Sequence, residues 1–180
     1  SRGLGDVYKR QLAYGDRSGK FVSYMAKTAE CSIFDWWDAN VVYEEKVLGH
    51  PNNRNALFDA RIQDEAKRAA AHETIAALKK ELKKTAGKLE ESCRPMVPVL
   101  ELTMDAIDLW NETGARMCDI ELGKEKDEAA CAALAGRLES WFMKYKASWR
   151  SISKEGDLHH IAEIVFWYAD ILRGRKPYEK

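Results

Sequence analysis

Apolar residues recur three and four positions apart along most of the chain, and that spacing predicts helices. The pattern is sharpest over 127–173. There Cys131, Leu134, Leu138, Trp141, Tyr145, Ser148 and Ile152 line one face of a first helix, while Leu158, Ile161, Val165, Tyr168 and Leu172 line one face of a second. Asp127 and Asp157 are placed to cap the two helices, and Gly156, Gly174 and Pro177 read as stop signals. Further back, Val97, Leu100, Met104, Ile107, Trp110, Gly114, Met117 and Ile120 mark a helix opened by Pro95 and Pro98 and closed by Gly123. Before it, Ile62, Ala66, Ala69, Leu78, Leu82, Ala86 and Leu89 describe a long alanine-rich helix from Ala56 to about Glu91, with Lys79, Lys80, Glu81, Lys83 and Lys84 outside.

The N-terminal third is less regular. Phe21, Tyr24, Met25 and Thr28 stand at helical spacing, and Ser32 with Asp35 three residues on suggests a capped short helix through Trp37. Trp36 and Trp37 cannot both face the core of that helix, so one is expected inside and the other at the surface. Gly49, Pro51 and the run HPNNRN make Val41 to Asn55 a loop region. No stretch alternates as a strand does. Short turns at 92–95, 123–126 and 153–156 favour antiparallel neighbours. The expected fold is all-α: an up-down antiparallel bundle of about four long helices with a short helical N-terminal extension. Ser1 to Gln11 lacks either periodicity and reads as a non-native leader of the kind left by translated adapter sequence. Residues 12–55 then join the bundle at 56–174 to a missing upstream domain, and 175–180 form a tail.

Composition narrows the function classes. Of 180 residues, 46% are hydrophobic and 32% charged, enough for one full-sized core. Lys+Arg and Asp+Glu are equal at 29 each, so no global field draws in nucleic acid or anionic lipid. The sequence carries no membrane-length apolar run and no signal peptide, which points to a soluble, cytoplasmic protein with no membrane partner. Cys31, Cys93, Cys118 and Cys131 have neither CxxC nor zinc spacing and read as free thiols.

Candidate chemistry is sparse. Asp157 with His160, and His160 with Glu163, match half of a bundle di-metal motif, but no second Glu-x-x-His accompanies them, so no metal site is expected. His72 beside Glu73 reads as a salt-bridged surface residue, and His50 as a loop residue. The adjacent acids Asp64-Glu65 and Asp127-Glu128 suit helical first turns better than a catalytic dyad. There is no GxSxG turn and no Gly-rich phosphate loop. No catalytic residue and no cofactor are expected. Trp36 and Trp37 are the candidates for stacking on a sugar, weighed against plain packing.

Three segments together resemble the C-terminal helical region of bacterial family 20 glycoside hydrolases, the β-N-acetylhexosaminidase-like group. They are SIFDWWDANVV with NRNALFDARI, then ETGARMCDIELGKEKDEAACAALAGRL, then YKASWRSISKEGDLHHIAEIVFWYADILR. The family's His-x-Gly-Gly-Asp-Glu strand motif is absent, so the resemblance transfers no catalytic residue. It implies a non-catalytic domain of a sugar hydrolase, packed on an upstream catalytic barrel of the same chain or against a second copy in a homodimer. The other expectation is a free-standing helical interaction module, suggested by six Trp and seven Tyr in a bundle without a site.

Overall fold

The computed structural model describes residues 20–51, 55–152 and 158–175. Every regular element among them is helical: α1 Lys20–Glu30, α2 Trp36–Leu48, a 3₁₀ turn Ala56–Phe58, α3 Ala60–Gln63, α4 Glu65–Ala86, a 3₁₀ turn Glu91–Cys93, α5 Met96–Glu121, α6 Glu128–Ile152 and α7 Leu158–Leu172. The all-α expectation holds. The leader at 1–11, residues 12–19, the Asp157 cap, the 153–156 turn with Gly156, and the tail beyond Arg175 lie outside the described residues, as do the Cys93 and Ile152 side chains.

The last four helices are antiparallel in sequence order. His72 and Lys79 of α4 meet Asp108 and Asp105 of α5, Arg137 and Trp141 of α6 meet Glu112 and Leu102 of α5, and Arg173 and Phe166 of α7 meet Glu139 and Phe142 of α6. α5 is the axis, packed against all six other α-helices. The N-terminal helices belong to the same core. Phe21 and Phe34 have no exposed surface, and α2 lies across α5 and α7.

An edge-to-face aromatic chain joins α2, α5 and α7: Trp36 to Trp110 at 5.6 Å, Trp110 to Tyr168 at 5.3 Å, Tyr168 to Trp167 at 4.8 Å and Trp167 to Tyr43 at 5.6 Å. The fully buried Tyr168 hydroxyl donates to the Ala39 carbonyl at 2.8 Å, which satisfies the one polar atom of that ring. Burial, with Asp38 nearby, holds this phenol well above its ordinary range.

Local chemistry explains where the elements differ from the sequence expectations. Ser32–Asp35 and Asp35–Asp38 both fit a capping box, and the second forms. Asp38 N–H donates to Asp35 Oδ1 at 2.7 Å and Asp35 N–H to Asp38 Oδ2 at 3.1 Å, so Asp35, not Ser32, caps α2. The reason lies on α5, where buried Asn111 Oδ1 accepts from Ile33 N–H at 2.8 Å and Phe34 N–H at 3.1 Å, while its Nδ2 donates to the Cys31 carbonyl at 2.8 Å. Those bonds hold 31–34 out of helix. α2 then continues to Leu48, past the predicted loop start at Val41, burying Val41, Val42 and Tyr43 before Gly49 at φ 68° stops it.

The 56–91 helix is broken. Asp64 at ψ 95° ends α3 and caps α4, so the phase set by Ile62 does not carry across. Ala66 and Ala69 are exposed, while Leu78 and Leu82 are buried as expected, together with Ala71 and Ile75. α5 and α7 both close as expected, with Gly123 and Gly174 in the left-handed region. At each end two backbone bonds satisfy orphan carbonyls: Lys124 to Asp119 and Gly123 to Ile120, then Arg175 to Asp170 and Gly174 to Ile171.

Candidate functional site

The structure assigns the suspected reactive groups to caps and helix-to-helix pairs. Asp64 accepts from Lys67 N–H at 2.9 Å and Asp127 from Ala130 N–H at 3.0 Å, as N-caps do. His159 pairs with Glu163 at 3.1 Å within its own helix, and His160 Nε2 lies 2.9 Å from Asn40 Oδ1 of α2. His50 is exposed. No group of three metal-ligating side chains occurs among the described residues. Cys31, Cys118 and Cys131 are free and buried, and burial is the main cause that pushes each thiol up, which keeps it protonated and weakly nucleophilic.

Two concave sites are found among the described residues. One, at the α5–α6 turn between Arg116, Asp119, Lys124, Lys126, Asp127 and Cys131, holds about 10 Å³, which is room for no more than one water. The other is an open groove of about 230 Å³ between α4 and α5, lined by His72, Ile75, Ala76, Lys79, Asp105 and Asp108. His72 Nδ1 sits 2.9 and 2.8 Å from the two Asp108 oxygens, and Lys79 bonds Asp105. His72 is a paired surface residue, as expected, and its partner is Asp108 of α5. These charges are engaged with one another across the groove, so what they do is join two helices. Sequence reading missed Asp105 and Asp108, although with Glu112 they stand three and four apart as an acidic ridge on α5.

The aromatic candidates separate cleanly. Trp36 is half-buried with its ring against Trp110, whereas Trp37 is 57% exposed. One Trp inside and one outside is the outcome that helical geometry required. On α6, Trp141, Tyr145 and Trp149 stack in a column with centroid spacings of 5.2 and 5.9 Å. The rings face one another, which covers both faces of Tyr145 and one face each of Trp141 and Trp149. Trp141 is buried and its Nε1–H donates to the Leu102 carbonyl at 2.9 Å.

The exposed apolar side chains are unevenly distributed. Of the seven large ones among the described residues, Trp37, Val47, Leu48 and Phe58 come from α2 and the turn that packs on it, against Leu122, Met143 and Phe166 from all the rest. The chain matches no protein-family model, no curated protein and no solved structure. No helix among the described residues is long and apolar enough to cross a membrane.

Proposed function

We propose that this chain is a non-catalytic helical domain of a glycoside hydrolase resembling β-N-acetylhexosaminidases, and that it buttresses an upstream catalytic barrel. The observation that carries the reading is the exposed apolar set Trp37, Val47, Leu48 and Phe58. Trp37 falls in SIFDWWDANVV and Phe58 in NRNALFDARI, segments that resemble the elements that follow the barrel in that group, and Val47 and Leu48 lie on the stretch between them. An apolar surface left open beside a satisfied core is what a face that belongs against another domain looks like. Supporting it, the acids and histidines of α3 to α7 discussed above serve as caps and as partners within or between helices, which leaves the chemistry to the barrel. The parent enzyme would remove terminal β-linked N-acetylhexosamines with a carboxylate pair supplied upstream.

The test reads the upstream frame and assays its product. A chain extended through that frame should encode a barrel with an Asp-Glu strand end and hydrolyse a chromogenic β-N-acetylhexosaminide, while the 180-residue chain does not. Trp37→Glu with Leu48→Glu should lower the melting temperature of the extended protein and leave the shorter one nearly unchanged. An extended protein without a barrel, or one indifferent to the double substitution, refutes the reading. A helical module that binds another protein through the same face would then take its place.

A further inference from the structure

We infer that α4 opens from the rest of the molecule as a separate unit, taking α1 with it, and that the polar pairs to α5 govern how often it does so. Different regions of one fold open with different free energies, set by how much apolar surface and how many closed bonds hold each. α4 buries four of its 22 residues, Ala71, Ile75, Leu78 and Leu82, whereas α5 buries ten of 26 and α7 seven of 15. What else ties α4 to α5 is polar and solvent-facing: His72 to Asp108, with His72 65% exposed, and Lys79 to Asp105, with both side chains about one-third exposed.

The aromatic chain that locks α2, α5 and α7 does not include α4. α1 leans on α4 and α5, and its Tyr24 hydroxyl lies 3.1 Å from Thr85 Oγ1 of α4, so removing α4 strips α1 of a main support. The C-terminal end of α1 and the N-terminal end of α4 both abut fixed points. Asn111 pins 31–34 to α5, Ile62 is 1% exposed, and Gln63 contacts Cys118 of α5, so the chain can bend at Asp64 and after α1 without disturbing α2. Once detached, α4 loses the packing that supplies most of a helix's stability, so its backbone bonds open with it. Opening would uncover the α5 face that carries Met104, one turn before Asp108 and 1% exposed in the closed state.

Native-state hydrogen exchange on the 180-residue chain tests this. Amides of 65–86 and 20–30 should exchange through one shared opening, at least tenfold more often than those buried in α5, α6 and α7. Asp105→Asn and Asp108→Asn remove the charge on the α5 side without altering the sequence of α4. Each should speed exchange in α4 and α1 together, by about two- to fivefold for partly exposed pairs, and leave α6 and α7 unchanged. Equal protection across all long helices, acceleration spread over the whole protein, or α1 amides that do not follow α4 would each overturn the proposal.

Discussion

At Gly114 the backbone of α5 comes so close to Phe34 that an added Cβ would lie 2.5 Å from Cγ and 2.7 Å from Cβ of that ring. Phe34 is fully buried and its N–H is held by Asn111, so it has nowhere to retreat. Ala is the better helix former by about 1 kcal/mol, yet overpacking of this kind costs about 1–3 kcal/mol or more, and here the steric cost wins. Gly114→Ala should therefore lower the urea midpoint, the reverse of what helix propensity alone gives; an unchanged or higher midpoint would show that Phe34 can move. The sequence placed Gly114 on the core stripe of its helix but could not show why a glycine stood there. Asn111 was invisible for a similar reason: its partners are 77, 78 and 80 residues away, and a buried asparagine in a helix looks like any other polar residue until the loop it holds is in view.

Among the elements, α6 and α7 were the most legible, because their caps, stripes and stop glycines agree over whole helices. α4 was the least, because one residue, Asp64, resets the phase, and a run of alanines gives the eye no contrast by which to notice it. The bond between α6 and α7 gives a pH-dependent prediction. Arg173 hydrogen-bonds both oxygens of Glu139, one of them at 2.8 Å, and this holds the Glu139 carboxyl below its usual range. A carboxylate with a lowered folded-state pKa contributes stability above its unfolded pKa and loses it as pH falls through the folded one. Arg173→Gln should thus cost about 0.5–1 kcal/mol at pH 7, discounted for partial exposure of both side chains. The gap from the parent protein should close as pH falls below the ordinary glutamate range. Urea melts of both proteins across that range check it, and a gap that widens on acidification would mean that the pair does not stabilise the fold.

For the molecule as a whole, the sequence carried the fold class and most of the core, because helical periodicity is local information. It did not carry the way α2 and α1 join the long helices, since the edge-to-face chain from Trp36 to Tyr43 is made between residues far apart in the sequence. It carried little about a site for the same reason: His72 finds Asp108 rather than its neighbour Glu73 only once α4 lies against α5. Trp141, at the junction of α6 with α5, measures how far the core acts as one body. Trp141→Ala removes a buried ring and its bond to Leu102 and should cost about 3–5 kcal/mol. Lys83→Ala, on the exposed side of α4, should stay within about 0.5 kcal/mol. Chemical denaturation of the two variants decides, and equal midpoints would place Trp141 outside the cooperative core.

Asn111, Glu112 and Thr113 also spell an acceptor tripeptide for N-linked glycosylation, in the middle of the central helix. Once the chain has folded, the Asn111 amide is spoken for and 5% exposed, and Thr113 has no exposed surface, with its hydroxyl donating to the Leu109 carbonyl. A glycosyl transferase could therefore reach the amide only on the nascent chain, before α5 is packed. A sugar attached there would take the place of the bond to Cys31 and bring a bulky hydrophilic group into a space filled by protein. Passage through a secretory pathway sets glycan transfer in competition with folding at that one residue, and a molecule that is modified first has no route to this structure.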